Sequence, residues 1–168
     1  MTDTQWPTYE VFIQDRPERP YRNAGSVHAV DPEMAVLNAR TVFVRRPACH
    51  SLWVVPAASI LARTAEELED SLPDVTDENV PEETYHVFRK TNQRRGITYV
   101  DQAGEVEASS PEAALRAALE AFPERPVYVW WVFQASAITA TGEEDIDSLF
   151  APAREKTYRQ QSQYRTTL

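Results

Sequence analysis

The chain has 168 residues, 42% of them hydrophobic, with a formal net charge of −9 and an isoelectric point near 4.8. That balance argues against a phosphate-backbone partner, which needs a concentrated basic face, and against docking on an anionic membrane. One cysteine, Cys49, excludes an internal disulfide framework, no apolar run approaches the ~20 residues that span a bilayer, and Met1–Gln5 lacks signal-peptide character, so a soluble cytoplasmic protein is expected.

Alternation of apolar residues at Tyr9, Val11 and Ile13 predicts a first strand. A turn-rich stretch from Asp15 to Asn23 leads to a second strand over about Gly25 to Val30. Asp31-Pro32-Glu33 is a helix start: a capping carboxylate, proline at the first helical position, and an acid in the positive first turn. Ala35, Val36, Ala39 and Phe43 form one apolar stripe, and Arg45-Arg46-Pro47 closes the helix. Ser51 to Ala57 is a third strand rich in Val and Trp.

The same order then returns. Tyr85-His86-Val87-Phe88 lies 76 residues after Tyr9-Glu10-Val11-Phe12, and Gly104 to Ala108 lies 79 after Gly25 to Ala29. Ser110-Pro111-Glu112 repeats the cap, while Ala114, Leu115, Ala118, Leu119 and Phe122 repeat the stripe. Trp131-Val132-Phe133 lies 78 residues after Trp53-Val54-Val55. The small drift in offset falls in loops, where insertions are tolerated. The predicted fold is α+β: two ββαβ repeats over residues 6–63 and 84–141, an acidic linker over 64–83 with a short helix possible at Ala65 to Leu72, and a C-terminal tail over 142–168. Phe150, Tyr158 and Tyr164 make that tail a docking segment.

A strand covered on one face alternates apolar with polar residues. Leu52-Trp53-Val54-Val55 and Tyr128 to Phe133 do not, and Phe12 and Phe88 add a second apolar surface opposite the helix-facing one. Leaving each such side chain bare forgoes about 1.5–3 kcal/mol of burial. The two copies are therefore expected to set their antiparallel sheets against each other as an internal pseudo-dimer, monomeric when isolated, with a partner protein as the alternative cover. The candidate interface residues are Phe12, Phe88, His28, Trp53, Trp131, Phe150, Tyr158 and Tyr164.

No catalytic, cofactor or metal site is assigned. The glycines at 25, 96, 104 and 142 are too scattered to cradle a nucleotide. Glu83-Thr84-Tyr85-His86 has the Glu-x-x-His spacing of di-iron proteins, but it occurs once and at a strand entry, where the two side chains point to opposite faces. Cys49-His50 are adjacent and project apart, so an inert loop thiol is expected. His28 is replaced by Glu107 in the second copy, which points to a structural hydrogen bond. The basic pairs Arg45-Arg46 and Arg94-Arg95 could meet an acidic surface or a phosphate, or simply be solvated.

Trp6-Pro7-Thr8-Tyr9-Glu10-Val11-Phe12, Gly25 to Asp31, Met34-Ala35, Asn38-Ala39-Arg40 and Leu52-Trp53-Val54-Val55 together resemble the phenylacetic acid degradation B family. Phe150-Ala151-Pro152-Ala153 and Lys156-Thr157-Tyr158-Arg159 are similar to that family's C-terminal segment. The resemblance implies a bridging subunit, without a cofactor of its own, of the phenylacetyl-CoA epoxidase of aerobic phenylacetate catabolism. In that assembly a different subunit holds the di-iron centre and a reductase supplies electrons. The implied partners are the di-iron subunit and its structural companion. The family is typically single-copy, whereas here a second copy precedes the tail, keeping the cap, Gly104 and Trp131 but losing the Trp-Pro opening and the histidine. The fused pair is thus expected to replace a homodimer. The alternatives are a stand-alone cofactor-independent enzyme of the paired α+β-barrel type, which needs a cavity with convergent polar groups, and a small-molecule-binding module.

Overall fold

A computed structural model describes residues 6–44, 49–73, 80–93, 100–124, 126–142 and 146–154. The first half runs β1 (Thr8–Gln14), β2 (Arg22–His28), α1 (Pro32–Phe43), β3 (Ser51–Pro56), a 3-10 turn, β4 (Leu61–Thr64) and α2 (Ala65–Asp70). The second runs β5 (Glu83–Lys90), β6 (Asp101–Ala108), α3 (Pro111–Ala121), β7 (Val129–Gln134), another 3-10 turn, β8 (Thr139–Ala140) and α4 (Ile146–Arg154).

Both long helices start as their sequences dictate. Asp31 Oδ1 accepts from the Met34 amide at 2.7 Å and Ser110 Oγ from the Ala113 amide at 3.1 Å, each with proline in the first turn. Each helix buries two alanines and one larger residue: Ala35, Val36 and Ala39 in α1, and Ala114, Leu115 and Ala118 in α3. Alanine at the contact positions lets the helix axis lie close to the sheet. The chain at the helix end then drops a phenylalanine onto a glycine of the second strand. Gly25, at φ 130°, faces the Phe43 ring, and a Cβ there would sit 2.9 Å from it; at Gly104 a Cβ would sit 2.6 Å from the Phe122 ring. In both halves the adjoining register slips opposite this point, between Val11 and Phe12 and between Val87 and Phe88. A bulge therefore accompanies the glycine in each copy.

All eight strands join one antiparallel sheet in the order β4-β7-β5-β6-β2-β1-β3-β8. The sheet is continuous rather than two separate sheets, because β2 meets β6 at Arg22 and Asp101, flanked by Asn23 N–H to Val100 O and Gln102 N–H to Tyr21 O, both 2.9 Å. It also curls, bringing the faces away from the helices together. Tyr9, Val11, Leu52 and Val54 belong to the core under α1, and Val87, Trp130 and Val132 to the core under α3. The alternate residues Phe12, Val55, Phe88, Val100, Trp131 and Phe133 form a third core shared by both halves.

From sequence, the units end at residues 63 and 141 with three strands each, and 64–83 is a linker. In the structure Leu61–Thr64 pairs with β7 of the second half, and Thr139–Ala140 pairs with β3 of the first. The ladders extend beyond the strands, through Ala65 N–H to Tyr128 O and Thr141 N–H to Leu52 O, both 3.0 Å. Thr64 then caps α2 through a full capping box with Glu67, so the acidic stretch opens with a helix; residues 74–79 lie outside the described residues. Strands of four and two residues are too short to display alternation, which is why they escape sequence inspection.

The paired glycines lend themselves to substitution. Gly25→Ala and Gly104→Ala each add backbone strain or a ring clash and should each cost about 1–3 kcal/mol. Urea denaturation measures this directly; a loss below about 0.5 kcal/mol, the usual range of a surface change, would contradict the packing.

Candidate functional site

The residues singled out from sequence fall into three places. Phe12 and Phe88, with no exposed surface, meet at a ring-centroid distance of 4.5 Å on the shared face. Trp131 sets its edge to Phe12 at 6.3 Å, and Phe133 lies 5.2 Å from Phe12 and 5.4 Å from Phe88. These rings cover each other and face the opposite half of the same chain. Trp53 is only partly buried, stacked on Tyr21 at 3.5 Å and 5.0 Å from the His86 ring. Phe150, on α4, is buried in the core under α1, where Ile146 and Leu149 pack beside it. Tyr158, Tyr164 and the basic pairs at 45–46 and 94–95 lie outside the described residues.

His28 is exposed at the end of β2, its Nδ1 lying 3.1 Å from the Trp6 carbonyl oxygen and 3.3 Å from Thr8 Oγ1. Thr84 Oγ1 donates to Glu107 at 2.7 Å in the matching place of the second half. Two unlike residues thus make the same cross-strand contact, a structural task with interchangeable partners.

The polar groups that face the shared core carry no sequence signature of their own. On β1 and β5, Glu10 and His86 occupy matching positions. Glu10 accepts from Asn23 Nδ2 at 2.9 Å, and burial raises its pKa, partly offset by that hydrogen bond. His86 Nδ1 lies 3.3 Å from Gln102 Nε2 and 3.4 Å from Glu105 Oε1. Burial lowers the His86 pKa below 6.5, and the more exposed Glu105 carboxylate opposes this only partly. The alternation Tyr85, Val87 against His86, Phe88 explains why Glu83 and His86 diverge. Glu83 accepts from Gln134 at the exposed strand entry, while His86 is buried on the shared face. No group of three or more His, Cys, Asp or Glu side chains converges among the described residues.

Cys49 is buried in the core under α1, its Sγ 3.5 Å from the Ser51 carbonyl oxygen. Burial, aided by the Asp15 charge, pushes its thiol up to about 12, so it is not a nucleophile at neutral pH.

A groove of about 220 Å³ lies between α2 and α3, lined by Leu68, Leu72, Leu119, Phe122, Val127 and Trp130, with Glu69 and Glu124 among its polar residues. Among the described residues no helix is long and apolar enough to cross a membrane.

A family model described as phenylacetic acid degradation B matches the chain twice, over residues 5–86 and 82–167. The second match thus takes in the tail. The B subunit of the 1,2-phenylacetyl-CoA epoxidase of Escherichia coli (strain K12) is 43% identical over 67 residues, covering 40% of this chain and 70% of that protein. No solved structure matches significantly.

The titratable groups can be tested in solution. A thiol reagent at pH 8 should leave native Cys49 unmodified and label it fully in denaturant; rapid labelling of the folded protein would contradict its burial. For His86 the folded pKa lies below the unfolded value. The unfolded chain therefore takes up the proton first, and stability should fall as pH drops through about 6.5 towards the folded value. His86→Gln should flatten that slope in unfolding titrations between about pH 7.5 and 5.5; an unchanged slope would contradict the burial of this ring.

Two successive family matches run across one chain, in a molecule whose halves repeat the same order of strands and share the Gly25/Gly104 contact. The chain belongs to the phenylacetic acid degradation B family, as a tandem pair of its units.

Proposed function

We propose that the chain serves phenylacetate degradation as a non-catalytic bridging subunit of a phenylacetyl-CoA epoxidase complex, with the pairing of two family units completed within one polypeptide. Family membership and the similarity to the B subunit of such an epoxidase support the setting. The partners in this reading are the catalytic subunit and its structural companion.

The observation that carries the bridging role is an exposed apolar strip along α1. Val30 is 54% exposed, Met34 41%, Leu37 45% and Val42 47%. Met34 and Leu37, three residues apart, lie on the outward side of a helix whose inward side buries Ala35, Val36 and Ala39, while Val42 sits at the flank near its end. The matching positions before and along α3 are Ser109, Ala113, Arg116 and Ala121, so the second half has no such strip. Large apolar side chains left in water on one copy and replaced on the other mark an interaction surface more than a folding requirement. The rings that could have paired two separate units are already covered internally, so the strip is available to a different protein.

The test is co-expression with the catalytic subunits and assay on phenylacetyl-CoA. Met34→Asp combined with Leu37→Asp should cut co-purification at least tenfold with little change in thermal midpoint, whereas Arg116→Asp on α3 should leave assembly intact. If the catalytic subunits assemble and turn over equally well without this chain, the bridging role fails.

A further inference from the structure

The two exchanged arms do not fill their seats equally. On the first half, α4 spans nine residues and sets Ile146, Leu149 and Phe150 against the core that contains Val36, Ala39 and Leu52. On the second half, α2 spans six residues and buries one large side chain, Leu68, against Leu115, Ala118 and Trp130. The matching positions on the two seats are Val36 and Leu115, Ala39 and Ala118, Leu52 and Trp130. By the sheet register Ile146 matches Leu68 and Phe150 matches Leu72. Phe150 is buried, whereas Leu72, beyond the end of α2, is half exposed beside a groove of about 220 Å³ that Ala65 and Glu69 also line. The groove therefore lies where the shorter arm leaves its matching side chain unburied.

We infer that this groove is a second docking site, which takes an aromatic-bearing helical turn of a partner protein, seated as Phe150 is seated on the first half. Three observations select that occupant. The volume falls below the ~300–1,000 Å³ typical of small-molecule sites and suits one or two large side chains. The lining is mostly apolar, with Phe122, Val127, Leu119 and Trp130 forming the wall and Leu72, still half in water, at the mouth. The α2 side supplies Glu66, Glu67, Glu69 and Asp70 with no basic residue, so the incoming turn carries basic residues around its aromatic anchor. The site is independent of the α1 strip and does not rest on the identity of the complex.

A nine-residue peptide with the sequence of Ile146–Arg154 carrying Asp147→Lys serves as the probe, added to the full-length chain and followed by methyl NMR. Shifts should appear at Leu68, Leu119 and Val127, and the same peptide with Phe150→Ala should bind at least tenfold more weakly. The double variant Ala65→Ile, Glu69→Phe fills the groove from within and should abolish binding while raising the thermal midpoint. Should that variant fail to fold, Leu119→Gln, at the groove wall, should also weaken the peptide at least fivefold. The inference is overturned by no shift at millimolar peptide, by shifts confined to the first half as the peptide displaces α4, or by equal binding to the filled variant. The epoxidase assembly can fail its own test without affecting any of these outcomes.

Discussion

Phe12 and Phe88 meet where two strands, each apolar on both faces, have only one helix apiece to cover them. Their contact, closed by Trp131 and Phe133, is the constraint from which the architecture follows. A helix can shelter one face of a four-stranded unit, and a second unit is needed for the other. Placing that unit on the same chain makes its effective concentration independent of protein concentration, so the shared core forms without an association step. The Phe12 side chain alone is of the class whose removal from a core costs about 3–5 kcal/mol, a large part of the stability of a small protein.

The exchanged arms reinforce this closure. The outer edge of β3 is covered by β8 of the second half, and that of β7 by β4 of the first. Each arm continues into a helix that caps the neighbour's core, α4 on the first half and α2 on the second. Hydrogen-bond ladders, a shared apolar core and two helical caps all cross the boundary between copies, so neither half is a complete folding unit by the criterion of covered faces. Within that closed frame the copies have diverged where the frame does not constrain them: on the outer face of α1 against α3, and in the size of the two arm helices.

Much of this is legible from residues alone. The two caps, the alanine-rich stripes, the matched glycines and the two-faced strands each have a local chemical signature, and the structure realises them at the same relative positions. The shared core is legible too, because an apolar residue on the polar face of a strand demands cover. What cannot be read is anything carried by short or long-range pairing. The β4 and β8 strands are too brief to show a period, and nothing local says that they cross to the other copy. Phe150 reads as an aromatic for an outside partner because its seat is built from residues about a hundred or more positions away. The Gly25–Phe43 and Gly104–Phe122 contacts are visible only as unexplained glycines. The polarity of Glu10 and His86 on an otherwise apolar face becomes meaningful only once the bulged register brings the side chains of Asn23 and Gln102 within reach of them.

One polypeptide thus covers both apolar sheet faces by itself and fills one arm seat more fully than the other, leaving the α1 strip and the α2 groove open among the described residues. Light scattering coupled to size exclusion on the isolated full-length chain tests this most directly. The expected result is a mass of 19.1 kDa that does not change with concentration. A stable dimer that persists on dilution and is disrupted by Phe12→Ala or Phe88→Ala would contradict it, since the shared face would then join two chains.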